Sequence, residues 1–242
     1  MKIDILAFGV HPDDVELSCG GVLLLEKEKG KKTGIIDLTR GELGTRGTPE
    51  IRLKESEAAS KILGVDIREN LQMPDGFFQN DEKNQRKIIS VIRKYQPEII
   101  LCNAPSDRHP DHARSAKMVS EAAFLSGLVK ITTEDTQIVQ KPWRPKYVLN
   151  YVQDRFLLPN FVVDITSVFD KKIDSVKAYD SQFGTSDISG PETYISAPEF
   201  LESVVYRHKW YGKMIGSKYA EGFISEKMIG LISFDALIQI NT

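Results

Sequence analysis

The chain has 242 residues, of which 41% are hydrophobic and 27% are charged, a globular composition that excludes intrinsic disorder. Its 32 basic and 34 acidic residues leave a net charge of −2, which excludes the basic footprint of a general nucleic-acid binder. The two cysteines, Cys19 and Cys102, are too few for a disulfide framework. The sequence shows no signal-peptide pattern and no apolar run of ~18 residues, so we expect a cytoplasmic protein without a membrane partner.

Apolar strands alternate with helical segments along the N-terminal half. In chain order we predict strand 3–10, a helix to about 31, strand 33–39, helix 49–63, strand 67–73, a helix capped by Asn80, strand 98–102 and helix 113–129. Thr48 followed by Pro49 predicts the start of the second helix, and Gly64 predicts its end. The first strand is almost continuously apolar, which is typical of a strand buried on both faces of a parallel sheet.

The C-terminal half continues with further strands and helices. We predict strands at 147–152 and 161–165, helices at 167–182 and 197–216, and a Gly/Pro/Ser-rich loop at 184–196. The alternation predicts an α/β fold, a Rossmann-like open and mostly parallel sheet with helices on both faces. No linker interrupts it, so we predict a single domain over 1–242. The apolar segment 228–240 is expected to pack on the core or on a neighbouring copy, and we expect a homo-oligomer.

The tripeptide His-Pro-Asp occurs twice, each time between a predicted strand and a predicted helix. The first motif is His11-Pro12-Asp13-Asp14, and the second is His109-Pro110-Asp111-His112. One such tripeptide is typical of a turn whose aspartate caps the next helix. Two copies favour a shared site, because the carboxyl ends of strands line the ligand-binding edge of open α/β sheets.

Three residues of these motifs, His11, Asp14 and His112, offer two imidazoles and one carboxylate. That set is typical of catalytic zinc, which keeps a further position open. It also suits Fe(II), Co(II) or Mn(II), so the residues alone leave the metal open. Spacing does not decide whether Asp13 or Asp14 binds the metal. His208 lies outside both motifs and is predicted to be structural.

The two motifs, together with Gly20-Gly21, resemble the LmbE-like (PIG-L) family of zinc-dependent de-N-acetylases. Within that family, residues 39–47 are most similar to the bacillithiol-pathway branch, which removes acetate from N-acetylglucosaminyl-L-malate. The resemblance implies one zinc ion per chain, bound by His11, Asp14 and His112. It implies that Asp13 is the general base and that His109 stabilises the oxyanion. It also implies that Asp111 orients a histidine from outside the metal ligands.

Five residues near the motifs are candidates for substrate binding. They are Glu42, Arg46, Arg52, Arg108 and Tyr194. Arginine forks bind carboxylates in a bidentate manner, and malate carries two carboxylates. Each arginine is otherwise a solvated loop charge, and Tyr194 is otherwise a loop residue packed on its neighbours.

The expected function is removal of acetate from a small N-acetyl sugar conjugate. The alternatives are a de-N-acetylase of another conjugate and a non-catalytic carbohydrate-binding protein that retains the metal site. Asp13 argues against the second alternative, because a structural site needs no spare carboxylate. A nucleotide-binding protein is disfavoured because the sequence lacks both the G-x-G-x-x-G and P-loop patterns. A two-metal phosphoesterase would need more clustered carboxylates.

Overall fold

The computed structural model describes residues 1–184 and 191–237, and alternating strands and helices run through most of that length. In chain order the elements are β1 (Ile5–Gly9), α1 (Asp14–Glu28), β2 (Thr33–Asp37), α2 (Pro49–Leu63), β3 (Ile67–Asn70), α3 (Glu82–Tyr95), β4 (Ile99–Cys102), α4 (Pro110–Leu125), β5 (Glu134–Asp135), β6 (Ile138–Val139), β7 (Tyr147–Tyr151), β8 (Phe161–Asp164), α5 (Phe169–Lys177), α6 (Asp180–Phe183), α7 (Pro198–Ile215) and β9 (Ala220–Ser225). Short 3₁₀ turns occupy Thr166–Val168 and Phe234–Leu237.

The described strands form one seven-stranded sheet and a small hairpin of β5 and β6. The order of the large sheet is β3-β2-β1-β4-β7-β9-β8, and its pairs are parallel except where β9 runs antiparallel to β7 and β8. The predicted α/β fold with a mostly parallel sheet is therefore confirmed. The strand order reverses between β1 and β4, so a crevice opens at their carboxyl ends.

Alternate residues of β1 enter two separate cores, which explains its continuous apolarity. Leu6 and Phe8 belong to a buried cluster with side chains of α3 and α4 on one face of the sheet. Ile5 and Ala7 belong to a second cluster with side chains of α1 and α5 on the other face. Helices therefore cover both faces, and the carboxyl end of β1 emerges between them.

The predicted boundaries of α2 are confirmed. The Thr48 hydroxyl accepts a hydrogen bond from the backbone of Ile51, and Gly64 ends the helix with a φ of +67°. The predicted cap Asn80 is wrong. Asp81 caps α3 instead, with its carboxylate accepting a hydrogen bond from the Asn84 backbone at 2.9 Å.

Other boundaries also differ from the sequence prediction. The predicted helix 113–129 begins earlier, at Pro110, because His109 is extended and caps it. The predicted helix 167–182 is broken at Tyr179, whose buried hydroxyl donates to Glu16. The strand β9 was not predicted.

Two predicted segments lie partly outside the described residues. They are the loop 184–196, at positions 185–190, and the apolar segment 228–240, at positions 238–240. Among the described residues, no helix combines the length and apolarity needed to cross a membrane.

Candidate active site

The two His-Pro-Asp motifs meet in the crevice between β1 and β4. The first motif follows β1 and opens α1, and the second follows the neighbouring β4 and opens α4. They line one cavity of about 330 Å³, together with residues of the 43–46 loop, of positions 193–195 and of α7. The reversal of strand order thus places two segments, far apart in sequence, at one site.

His11, Asp14 and His112 place one ligand atom each within 4.8 Å of the others. The Nε2 atom of His112 lies 3.2 Å from Oδ1 of Asp14, and Nδ1 of His11 lies 3.8 Å from Oδ2. Two imidazole nitrogens and a carboxylate oxygen so arranged match the donor set of a catalytic divalent metal. The residues present therefore fit such an ion.

Each of the two histidines is oriented by a carboxylate on its far nitrogen. His11 Nε2 donates to Asp75 at 2.9 Å, and His112 Nδ1 donates to Asp107 at 2.5 Å. These contacts leave Nδ1 of His11 and Nε2 of His112 facing Asp14, where each offers a lone pair to a cation when its ring is neutral. A carboxylate behind a metal-binding histidine fixes its tautomer and raises its basicity. The sequence reading missed Asp75 and Asp107.

Asp14 is held rigidly by donors on one of its oxygens. Its Oδ2 accepts hydrogen bonds from the backbone of Val10 and His11 and from the Asn103 side chain, at 2.9 to 3.0 Å. Its Oδ1 accepts one from Gln153 at 3.1 Å and faces His112. Asn103 directly follows β4, a position at which the sequence reading could have found it.

His112 and Asp14 carry opposite charges when no cation is bound. Burial lowers the pKa of His112, but Asp14 and Asp107 outweigh burial and raise that pKa to about 10. Burial raises the pKa of Asp14, but the two histidines outweigh it and hold that pKa well below its usual range. Binding of a cation must therefore displace a proton from His112.

Asp13 points away from the start of α1 and makes no side-chain cap there. Its φ of +120° is a conformation that non-glycine residues adopt at a cost. Its carboxylate receives a hydrogen bond from Arg52 at 3.1 Å, and both side chains are buried. Burial raises the pKa of Asp13 to about 7, although the Arg52 charge opposes that rise. A carboxyl with this pKa suits proton transfer near neutral pH.

His109 caps a helix and also faces the candidate metal site. Its Nδ1 accepts a hydrogen bond from the Asp111 backbone at 3.3 Å, so it caps α4. A neutral ring with Nδ1 as the acceptor carries its proton on Nε2. Burial, reinforced by His11 and His112, lowers the pKa of His109, which favours that neutral ring. The ring centre lies 4.7 Å from that of His11, so the remaining N–H belongs to the same site.

Among the described residues, the carboxylate of Asp111 makes no hydrogen bond to a histidine side chain. Its carboxylate accepts from the Gly76 backbone at 2.9 Å and from Arg114 at 2.6 Å. The expectation that the Asp111 carboxylate orients a histidine is therefore wrong, and the carboxylates of Asp75 and Asp107 have that role instead. His11, His109 and Asp111 form a second possible metal group.

The structure gives Arg52 and Arg108 carboxylate partners within the protein. Arg52 is covered by Gly41, whose φ is +66° and where a Cβ would collide with the guanidinium. Its partner is Asp13, which argues against the predicted contact with a substrate carboxylate. The Nε of Arg108 lies 3.3 Å from Asp154, and its guanidinium lies over the ring of Tyr194 at 4.3 Å.

The other predicted substrate residues divide between the cavity and the loop behind it. Tyr194 lines the cavity and donates to Asp154 at 3.1 Å. Arg46 also lines it and donates to the carbonyl oxygens of Ser181 and Gly184. Glu42 is not among the lining residues, since its carboxylate accepts from the backbones of Arg40 and Asp75. Glu42 therefore fixes the loop that carries Asp75.

Known proteins match this chain along most of its length. A family model described as "PIG-L: GlcNAc-PI de-N-acetylase" matches residues 6–123. The diacetylchitobiose deacetylase of Thermococcus kodakarensis is 30% identical over 229 residues, which cover 90% of this chain and 81% of that protein. The crystal structure of a conserved protein from Thermus thermophilus superposes with a TM-score of 0.85 at 35% identity, covering 95% of this chain and 97% of the other.

Two more distant relatives differ in their activities. A probable N-acetyl-alpha-D-glucosaminyl L-malate deacetylase 2 of Bacillus cereus is 26% identical over 203 residues, covering 75% of this chain and 84% of that protein. The 4-oxalmesaconate hydratase of Pseudomonas putida is 26% identical over 196 residues, covering 73% of each. The fold thus supports both hydrolysis and hydration in these relatives.

Proposed function

The chain belongs to the PIG-L family, and from this membership and the site geometry we propose that it is a zinc-dependent deacetylase of an N-acetylglucosamine conjugate. The observation that carries the proposal is the buried carboxylate of Asp13 beside the ligand group His11, Asp14 and His112. The three residues can hold the cation, and Asp13 is the additional group that hydrolysis needs. Two imidazoles and one carboxylate favour zinc, although Fe(II), Co(II) and Mn(II) accept the same ligands.

A divalent cation held by His11, Asp14 and His112 would supply a Lewis acid that polarises the acetamide carbonyl and acidifies the attacking water. Ionised Asp13 takes one proton from that water as its oxygen bonds to the carbonyl carbon. The carbon–nitrogen bond then breaks, and Asp13 passes the proton to the leaving nitrogen. The products are acetic acid, which ionises to acetate in solution, and a primary amine.

His109 acts on the carbonyl oxygen, where negative charge develops. Its Nδ1 is occupied by the Asp111 backbone, so Nε2–H is the atom available to donate a hydrogen bond. A fixed donor at that oxygen typically accelerates acyl transfer by about 10²–10³-fold. Asp75 and Asp107 accept hydrogen bonds from the rings of His11 and His112 and so hold the other nitrogen of each ring toward Asp14.

For the conjugate we propose N-acetylglucosaminyl-L-malate, which would place the enzyme in bacillithiol biosynthesis. The support is the likeness of residues 39–47 to that branch and the match to the Bacillus cereus relative. A neutral N-acetyl disaccharide is the second candidate, supported by the relative from Thermococcus kodakarensis.

Acetate release by the zinc-loaded protein tests these proposals. The panel is N-acetylglucosaminyl-L-malate, N,N'-diacetylchitobiose and N-acetylglucosamine, with a hydratase substrate, 4-oxalmesaconate, as the control. We expect acetate and a new primary amine from at least one N-acetyl sugar, with the highest kcat/KM for the malate conjugate. Hydration of the control substrate without acetate from any sugar would contradict the proposed function.

A further inference from the structure

One face of α7 forms a wall of the active-site cavity. Phe200, Val204 and Arg207 line the cavity, and their spacing of four and three residues places them on one side of the helix. Tyr206 lies on another side of the helix and is exposed. A guanidinium therefore extends from an otherwise apolar wall.

Arg207 makes no hydrogen bond or ion pair with any residue in the described ranges 1–184 and 191–237. The acidic residues that act on it electrostatically, Asp154, Asp107 and Glu221, each bind other residues, and Glu221 pairs with Lys172. Asp154 accepts from Tyr194 and pairs with Arg108, and Asp107 accepts from His112 and the Arg155 backbone. Arg207 thus differs from Arg52 and Arg108, whose charges are already neutralised by protein carboxylates.

A half-buried guanidinium without a partner lowers the stability of a fold. Burial accordingly lowers the pKa of Arg207 below its usual range, against the opposing effect of Tyr211 and the acidic neighbours. A charged side chain that is partly buried without a partner inside the protein is typical of a functional site. The compensation for Arg207 would come from a bound anion.

We propose that Arg207 is a specificity residue that binds an anionic oxygen group, a carboxylate or a phosphate, on the part of the substrate attached to the sugar. The inference rests on the proposed deacetylase function and deepens it. An anion in the cavity meets a guanidinium fork that is not paired with any carboxylate of the described residues, which allows charge-assisted hydrogen bonds. Arg46 lines the same cavity, but its fork already donates to two backbone carbonyls.

The test compares kcat/KM for anionic and neutral substrates in Arg207→Met, Arg207→Lys and a control, Lys209→Met. Lys209 is an exposed cation two residues along α7, outside the cavity lining. The anionic substrates are N-acetylglucosaminyl-L-malate and N-acetylglucosamine 1-phosphate, and the neutral ones are N-acetylglucosamine and N,N'-diacetylchitobiose. The malate and phosphate arms separate the two sources of negative charge.

Arg207→Met should lower kcat/KM for one or both anionic substrates by about 10- to 150-fold and leave the neutral substrates within about twofold. Arg207→Lys should lose less, because it keeps the charge but not the fork. Lys209→Met should match the wild type on every substrate. The thermal midpoint of Arg207→Met should equal or exceed that of the wild type, since an unpaired charge is removed.

Equal losses on anionic and neutral substrates, or a lowered thermal midpoint, would overturn the role of Arg207 while leaving the deacetylase function intact. Unchanged kcat/KM on all substrates would overturn it as well. No acetate from any substrate with the zinc-loaded wild type would overturn the proposed function itself, and the inference with it.

Discussion

Asp13 combines a strained backbone with a buried carboxylate. A non-glycine residue in such a conformation costs about 1–3 kcal/mol, and the surrounding structure must impose it. The result is that Asp13 and Asp14, although adjacent, face different partners. Asp14 faces the two histidines, and Asp13 faces Arg52. This division is the geometric basis for giving them different roles.

Asp13→Asn should retain one equivalent of metal and lose about 10²–10⁴-fold in kcat/KM, because an amide cannot accept the proton of the attacking water. Metal content and acetate release are measured on the same preparation. Loss of the metal together with activity would show that Asp13 is a ligand and would exchange its role with that of Asp14.

Arg52→Met should move the acidic limb of the kcat/KM profile to higher pH. The base must be ionised, so the rate falls as pH drops through the pKa of Asp13. Burial raises that pKa and Arg52 opposes the rise, so removing the Arg52 charge raises the pKa further. A pH–rate profile from about pH 5 to about pH 9 measures the limb. An unchanged limb would show that Arg52 does not set the charge state of the base.

Residues of the candidate site that belong to a repeated motif could be predicted from the sequence, and residues that occur outside such a motif could not. His11, Asp14 and His112 share a motif at two strand ends, and the structure brings them together. Asp75 and Asp107 occur singly in loops, where an acidic residue is ordinary. Only the fold reveals that each of them faces a histidine.

At the level of elements, a buried ion pair lies against the backbone of α1. The Glu221 carboxylate of β9 accepts hydrogen bonds from Gly21 and Val22, at 2.9 and 2.7 Å. Lys172 of α5 donates to Glu221 and to the carbonyl oxygens of Glu16 and Leu17. A Cβ on Gly21 would lie 2.9 Å from a Glu221 oxygen, so only glycine permits the approach. The pair ties α1, which begins with Asp14, to α5 and β9.

Glu221→Ala should destabilise the protein by about 3–5 kcal/mol, because it leaves Lys172 buried without its counter-ion. Urea unfolding measures the change. The matched control is Glu82→Ala, which removes an exposed ion pair with Arg86 and should cost at most about 0.5 kcal/mol. Equal unfolding midpoints for the two variants would contradict a structural role for the Lys172–Glu221 pair.

The Lys172–Glu221 ion pair explains why β9 was not predicted from the sequence. A glutamate in the middle of a short segment argues against a buried strand unless its partner is known. That partner, Lys172, lies on a different element, and their pairing depends on the assembled fold. The strands β1, β4 and β7 carry no charged residue, and their positions were predicted within a few residues.

At the scale of the whole molecule, the order of the strands creates the site. β1 lies between β2 and β4 in the sheet. From β1 the chain adds β2 and β3 on one side of it and then crosses over to add β4 on the other side. The sequence predicted that the two motifs share a sheet edge, and the topology places them on adjacent strands. Whether the 242 residues form one domain and whether copies associate stay predictions.

One divalent ion per chain should bind, and His112→Ala should abolish binding. Asp107→Asn should weaken it by about 10- to 100-fold, because the ring of His112 loses its orienting carboxylate. Isothermal titration of the metal-free protein measures both. His109→Ala is the control and should bind normally. Loss of binding in that control, with binding retained in His112→Ala, would move the ion to the group of His11, His109 and Asp111.

Acetate release from N-acetylglucosamine conjugates before and after metal return tests the deacetylase assignment most directly. Protein stripped by a chelator should release no acetate, and one equivalent of Zn²⁺ per chain should restore release in the wild type but not in Asp13→Asn. Full activity in the stripped protein, or no acetate from any N-acetyl sugar after reloading, would contradict a metal-dependent deacetylase built on His11, Asp14 and His112.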